Sequence, residues 1–460
     1  MFRSTVLLVS PPVLYAPTWW SSKVASKPHL HSLAGFIRDI ADTRIVELDV
    51  LMGTPTVEIE QYLEGIDALV PLDGIDLVGI SCWTSLHYLG AVAVARKIRA
   101  RNPDLAIVVG GHHATAVPSD FVDEERLFDL VVRGDGEHEL RRLCEGDAPY
   151  ARQARTQVIS AAPYQMSDPT RIDWANYPWH DAQNKVLWLC LSRGCPFKCA
   201  YCAEPQRGTA WTHYDVEDAL GILERLYRTH EPHVVCFADP LFGASRPWTE
   251  ALVDGIAERG LPNMFWCETR ADLMTPTLLD KLHACRFKVD FGLDTGSETV
   301  ARRMVKSPVP GTYLRKAREI IAHANAIDLF HDTYVLFNFP GETPETARET
   351  MDFVEALGGT GTAAGWVSSQ SFFILPGTES YARMDEYHQL YGTEIRNPGW
   401  WRQTGDHNAL ATDVLPSAAY RGREHELRNF QQWQQNVNVN LAMRQTPRLA
   451  AFMRTFYSLS

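Results

Sequence analysis

Short apolar runs alternate with amphipathic stretches along the first third of the chain. Thr5–Val9, Arg44–Val50, Leu77–Ser81, Ala106–Gly110 and Leu130–Arg133 are dense in β-branched residues, as buried parallel strands are. Between the third and fourth lies Leu89–Arg101, rich in alanine, with Arg96, Lys97, Arg99 and Arg101 toward its C-terminal end, where cations complement a helix dipole. Asn102-Pro103 stops that helix. Alternation at this spacing predicts an α/β domain over residues 1–150 with a doubly wound, Rossmann-like sheet.

Residues 151–183 break the rhythm, with Pro163, Pro169 and Pro178 among aromatic and polar residues, and are expected to link two domains. A second series follows: Val186–Ser192, His233–Phe237, Met264–Glu268, Val289–Leu293, Asp332–Phe337 and Val367–Ile374 read as strands. Helical stretches separate them, such as Val216–Arg228, where Leu220, Leu223 and Tyr227 share a face behind Asp215 as the expected N-cap. Six such units predict a partial (β/α)6 barrel over residues 184–375, with ligands at the C-terminal ends of its strands. Residues 376–460 turn tryptophan-rich and polar through Trp400-Trp401 to His407, then helical, and are expected to cover the substrate.

Composition narrows this picture. With 460 residues, 45% hydrophobic and 22% charged, the chain is of ordinary globular make-up and long enough for two domains. Neither a signal region nor a run of about eighteen apolar residues is present, so a soluble, cytoplasmic protein is expected. Nine cysteines are too few and too uneven for a disulfide framework, and clustered thiols in a reducing compartment point to metal or redox chemistry. A net charge of -12 opposes binding to nucleic acid or an anionic membrane and suits a cationic ligand, although acidity also serves solubility.

The clustered thiols are Cys195, Cys199 and Cys202, in the run Leu191-Ser192-Arg193-Gly194-Cys195-Pro196-Phe197-Lys198-Cys199-Ala200-Tyr201-Cys202 directly after a predicted strand. Iron-sulfur clusters are held by cysteine thiolates, most often four, so three on one loop leave one iron open. Zinc also takes closely spaced cysteines, but a closed site needs a fourth ligand, for which His213 or Cys190 would serve. C-x3-C-x2-C with an aromatic before the last cysteine closely resembles the radical S-adenosylmethionine (SAM) signature, and the resemblance extends over roughly residues 186–375. It implies a [4Fe-4S] cluster on the three cysteines, with SAM bound through its amino and carboxylate groups to the open iron and cleaved to a 5′-deoxyadenosyl radical. A reductase or flavodoxin-type electron donor is implied with it.

Further segments carry the resemblance. Tyr201 corresponds to an aromatic near the adenine. Phe237–Phe242 looks like the second-strand motif, which assigns Asp239 and Phe242 to the cofactor, and Glu268–Leu273 resembles the third-strand segment, which assigns Glu268 and Arg270. Phe291–Glu298 resembles a segment usually reading Glu-Ser-Gly-Ser; here Asp294 and Thr295 replace the first two, ahead of Ser297, and the resemblance assigns all three to the cofactor, at the ribose of SAM. Asn338–Thr343 matches Gly-x-Pro-Gly-Glu-Thr in part, with Asn338 at the first glycine, and Ala203-Glu204-Pro205 stands where many members carry a Gly-Gly-Glu-like turn.

Residues 1 to about 145 resemble the cobalamin-binding domain of one large radical SAM subclass, best at Val108–Pro118 and Val131–Glu137. Gly110-Gly111 at a strand end lets a flat ligand or phosphate-like tail approach the backbone, and the Ser81–Ser85 loop would line the same crevice. Asp-x-His-x-x-Gly is absent, so cobalamin here is expected to lack a lower histidine ligand. The alternative is a sheet kept as scaffold, with no cobalamin.

With cobalamin, the resemblance implies radical methylation: the 5′-deoxyadenosyl radical takes hydrogen from an unactivated carbon, which collects a methyl group from methylcobalamin, and a second SAM remethylates the cobalt. Without it, radical dehydration or epimerisation of an aminosugar or aminocyclitol follows, as in the radical SAM dehydratases of aminoglycoside pathways. Cobalamin-dependent methylation is the expected reading, and a tail of only about 85 residues after Pro376 together with the acidic balance keeps the second one as its alternative. Either reading points to a small-molecule, natural-product substrate of the antibiotic-biosynthesis kind, cationic under the second. Substrate contacts are expected from Trp211, His213, Tyr214, Tyr334, Trp400, Trp401, Asp406 and His407, and acid-base chemistry from Tyr214, His213 or Asp239. A third reading, a non-catalytic iron-sulfur or zinc protein, predicts a triad without the accompanying segments at Arg270, Gly292–Glu298 and Pro340–Thr343.

Overall fold

The computed structural model describes residues 4–14, 28–53, 58–122, 125–146, 155–208, 210–357, 365–404 and 414–443. Asp406, His407 and the end of the chain from residue 444 lie outside the described residues.

Six parallel strands form the first sheet: β1 (Ser4–Ser10), β2 (Ala41–Glu47), β3 (Leu77–Ser81), β4 (Ala106–Gly110), β5 (Leu130–Arg133) and β6 (Gln157–Ser160), in the order β2-β1-β3-β4-β5-β6. Central strands are apolar on both faces because helices cover both: Leu7 and Val9 of β1 pack into one core, Val6 and Leu8 into the other. The order reverses at β1 and β3, which opens a crevice at the strands' C-terminal ends. The second strand departs from its expected bounds, ending at Glu47 because Leu48–Met52 turns helical.

The expected linker is a packed segment. Its β6 pairs with β5 at the sheet edge, and Trp174 and Tyr177 are buried in the second domain's core. Only Val158 and Ile159 of β6 are apolar, and Val158 is exposed, so the strand leaves almost no periodic signal.

The second sheet is β7 (Val186–Leu189), β10 (Val234–Phe237), β11 (Met264–Thr269), β12 (Phe287–Asp294), β13 (His331–Phe337) and β14 (Gly365–Ser371), all parallel and in simple sequential order, as in an opened barrel. Phe265, Cys267, Val289 and Phe291 face the helices, while their neighbours Trp266, Glu268, Lys288 and Asp290 face the lumen. Between β7 and β10 a small antiparallel pair, β8 (Ser192–Arg193) and β9 (Thr212–His213), braces the cysteine loop. The expected strand Val186–Ser192 is thereby split in two. Asp215 occupies the N-cap position of helix Val216–His230, but its side chain makes no capping hydrogen bond.

The C-terminal region closes the molecule. Helix Glu424–Met443 packs over β14, with the Phe430 ring 4.5 Å from that of Phe337. Trp401 donates to Asp120 of the first domain at 2.6 Å, Arg402 pairs with the same carboxylate, and His113 lies 3.1 Å from it. Among the described residues no helix is long and apolar enough to cross a membrane.

Candidate active site between the two sheets

The cysteine loop leaves β7 under backbone control. Asp239, after β10, accepts from the Leu191 N–H at 2.8 Å and the Ser192 hydroxyl at 2.5 Å. Burial pushes its carboxyl up to about 7, with those hydrogen bonds pulling the other way. Asp239 therefore anchors the start of the loop. Further along, Ala200 N–H bonds to Met304 at 2.9 Å, Ser380 N–H to Ala200 at 2.8 Å, and Cys202 N–H to Cys199 at 3.1 Å.

All three loop cysteines are free, half-buried thiols close enough to influence one another's ionisation. Burial raises the Cys195 thiol pKa and pushes that of Cys202 up to about 12. Arg270 places Nη1 3.8 Å from Cys199 Sγ and lays its guanidinium over Phe197 at 3.9 Å, while Asp272 holds its other edge at 3.0 and 3.1 Å.

This donor set fits a cluster better than a closed zinc site. His213 is bonded through Nδ1 to the Tyr214 carbonyl at 2.8 Å and packed on Trp211 and Trp248; Cys190 is directed at the Ala238 carbonyl at 3.4 Å. Neither joins the triad, and among the described residues no three His, Cys, Asp or Glu side chains converge as they would on one ion. Three thiols spread around a loop beside a guanidinium suit a larger, anionic group with one corner open.

The SAM candidates divide. Tyr201 donates to Asp294, which sits at φ 64° and also pairs with Lys306. Burial disfavours the Lys306 charge, but Asp294, with Tyr313 and Cys199 beyond it, more than offsets this and raises the ammonium pKa. Lys306 and Tyr313 were not visible as site residues in the sequence. Thr295 and Ser297, expected at the ribose, are fully buried: Thr295 Oγ1 bonds to Thr350 at 2.9 Å and Ser297 caps helix Glu298–Arg303. Phe242 is likewise in the core, stacked on Phe237 at 5.5 Å. Glu268 is open to the barrel interior, its carboxyl pushed up to about 7 by burial and by Asp290. Beside it, Asp290 pairs with Lys288 and accepts from Trp266 at 2.7 Å and Tyr334 at 2.9 Å.

Of the other substrate candidates, Trp400 and Trp401 are buried packing residues, and Trp211 and His213 belong to an aromatic group with Trp248. Tyr214 is buried, which raises its pKa, and lines a cavity between the domains. The first domain contributes Ser81, Trp83, Gly110, Gly111, His112 and Gly134–Glu137 to that cavity; the second contributes Trp188, Cys190, Arg193 and Glu204. Ser81 is held by His29 at 2.7 Å. Gly111 stands at φ 106°, and a Cβ there would lie 2.5 Å from the Cys82 carbonyl, so the glycine is required by the close approach of two loops. Gly110 meets no such restriction. Leu8, Val108, Leu140 and Leu143 make the cavity floor apolar under a rim of amides, hydroxyls and charges, which fits a corrinoid, whose aromatic base is apolar and whose amide arms and phosphate are polar.

Residues 189–354 match the radical SAM superfamily and residues 28–144 the B12 binding domain. The chain is thus a radical SAM enzyme with an N-terminal cobalamin-binding domain, and the two domains assign it a [4Fe-4S] cluster, SAM and cobalamin. The non-catalytic reading and the empty-scaffold reading fall with that match.

Among particular proteins, the chain is similar to an uncharacterised methyltransferase of Pyrococcus horikoshii, 23% identical over 76% of this chain and 78% of that one. It is 24% identical to the anaerobic magnesium-protoporphyrin IX monomethyl ester cyclase of Rubrivivax gelatinosus, over 69% of this chain and 60% of the cyclase. In fold it is similar to the radical SAM methyltransferase TsrM of Kitasatospora setae, solved with cobalamin and a [4Fe-4S] cluster (TM-score 0.65, 18% identity, 85% of this chain and 77% of that one). With TsrM holding tryptophan as substrate and a SAM analogue, the TM-score is 0.67 at 16% identity, over 94% and 89% of the two chains.

Proposed function

We propose that this protein is a cobalamin-dependent radical SAM methylase acting on a small molecule. The observation that carries the reading is the cavity walled by both domains: it runs from the crevice at the ends of β3, β4 and β5 to Trp188 and Cys190 at the barrel mouth, beside the cysteine loop. When bound, the cofactors supply a carbon radical and a methyl group. Cys195, Cys199 and Cys202 hold the cluster, and Arg270 balances charge at Cys199. Tyr201, Asp294 and Lys306 form a polar frame for the nucleoside of SAM, which enters by exchanging with their mutual bonds. Glu268 with Trp266 and Tyr334 lines the lumen for a substrate bearing a basic or hydrogen-donating group. An external reductase or flavodoxin supplies the electron.

Methyltransferases among the similar proteins support this reading, and the similar cyclase leaves the reaction type to experiment. Protein produced with cobalamin and reconstituted anaerobically is expected to retain stoichiometric corrinoid. With reductant and methyl-labelled SAM it should release both 5′-deoxyadenosine and S-adenosylhomocysteine. SAM turnover that proceeds equally well after cobalamin is removed would overturn the methylase reading in favour of dehydration or epimerisation.

A further inference from the structure

The cysteine loop is tied to the first domain on both sides. Two residues before Cys195, Arg193 crosses the domain boundary and donates to Glu137 at 2.6 Å and to the Ser32 hydroxyl at 2.8 Å, with Asp135 at 3.9 Å and the Tyr164 ring 4.9 Å beneath it. Two residues after Cys202, Glu204 reaches to within 3.7 Å of His112. Glu137 opens the helix after β5, and His112 opens the helix after β4, so the two ties land on the two loops that wall the cobalamin cavity. Arg193 itself lines that cavity and keeps only 12% of its side chain exposed.

We propose that Arg193 is a positioning residue that couples the two cofactor sites, so that cluster and cobalamin each strengthen the binding of the other. The inference rests on the cofactor assignment above. A buried guanidinium is held only while its carboxylates stay in place, which makes the contact a discrete state rather than an adjustable one. A single residue, Gly194 at φ 79°, separates Arg193 from the first cluster ligand, so a loop fixed by iron fixes the guanidinium as well. The fixed guanidinium in turn holds Glu137 and Ser32 where they form the cavity wall. Linkage makes the effect reciprocal, since a ligand that favours the wall favours the loop by the same factor.

The test is an anaerobic titration of hydroxocobalamin, followed by tryptophan fluorescence, into reconstituted protein and into the same protein stripped of iron. The expected result is binding at least about fivefold tighter with the cluster present. The electron paramagnetic resonance spectrum of the reduced cluster should also change when hydroxocobalamin is added. In Arg193→Met both cofactors still bind, the affinity ratio falls toward one and the spectral change is lost; Glu204→Gln reports the same loss from the other tie should Arg193→Met not fold. Equal affinity in the two wild-type forms, or an undiminished ratio in the variants, overturns the coupling. Failure of every form to bind hydroxocobalamin overturns the cofactor assignment instead.

Discussion

The guanidinium of Arg270 stands 3.8 Å from the sulfur of Cys199 and is stacked on Phe197 at 3.9 Å, so a cation that follows β11 is held against the cysteine loop. A positive charge beside a cluster sulfur favours the reduced, more negative form. Arg270→Met is expected to move the cluster midpoint potential negative and to lower 5′-deoxyadenosine formation at least about tenfold, a rise of roughly 1.4 kcal/mol in the barrier. Arg270→Lys keeps the charge but not the planar stack and should fall between. A redox titration followed by electron paramagnetic resonance checks both, and an unchanged potential in Arg270→Met would refute the role.

Gly111 separates the close approach of two loops from a clash. At φ 106° with the Cys82 carbonyl 2.5 Å from the position of a Cβ, Gly111→Ala must strain the backbone and displace the β3 loop together. The expected cost is roughly 3 kcal/mol in unfolding free energy. Gly110→Ala, where the nearest atom lies at 3.8 Å, should cost far less. Denaturant melts of the two variants, side by side, give the answer: equal losses would mean that the cavity wall does not depend on the Gly111 conformation.

The series of strands, the cysteine loop and the crevice at Ser81 and Gly110-Gly111 were legible because each is a local signal: apolar periodicity, thiol spacing, paired glycines at a strand end. What escaped is set by distance along the chain. Arg193 finds Ser32 161 residues away, and the tie of Trp401 to Asp120 spans 281. Lys306 gains its place only because Asp294 turns back toward it. Motif likeness singled out Asp239, Phe242, Thr295 and Ser297, but not the bonds and packing through which they anchor, stack or cap. Strand β6 was missed because two apolar residues at a sheet edge carry no period.

In the barrel lumen, Lys288 and Asp290 form an ion pair with side chains 1% and 0% exposed, and Asp290 also accepts from Trp266 and Tyr334. Removing one partner leaves a buried, uncompensated charge. Asp290→Ala is expected to destabilise the fold by about 3–5 kcal/mol. The double variant Lys288→Met/Asp290→Asn, which removes both charges, nearly keeps volume and retains an acceptor for Trp266 and Tyr334, should lose clearly less. Urea denaturation of the single and double variants tests this, and a double variant as unstable as the single one would show that the pair is not the source of the loss.

His331 gives the fold a pH dependence of determinable sign. Its Nε2 is bonded to Asn325 at 2.9 Å and its Nδ1 is buried without a hydrogen-bond partner. Burial first, and Lys288 second, push its pKa down to about 3. The unfolded chain takes up the proton near pH 6.5, whereas the folded one resists it until about pH 3. The folded state therefore binds fewer protons throughout this window, so stability is complete above about pH 6.5 and is lost as the pH falls. One proton corresponds to about 1.4 kcal/mol per pH unit. His331→Gln should lower stability at pH 7.5 yet show a slope shallower than wild type by about that amount between pH 6 and pH 5. Other histidines titrate identically in both proteins and cancel in the difference, so parallel curves across that interval would exclude His331 as the source.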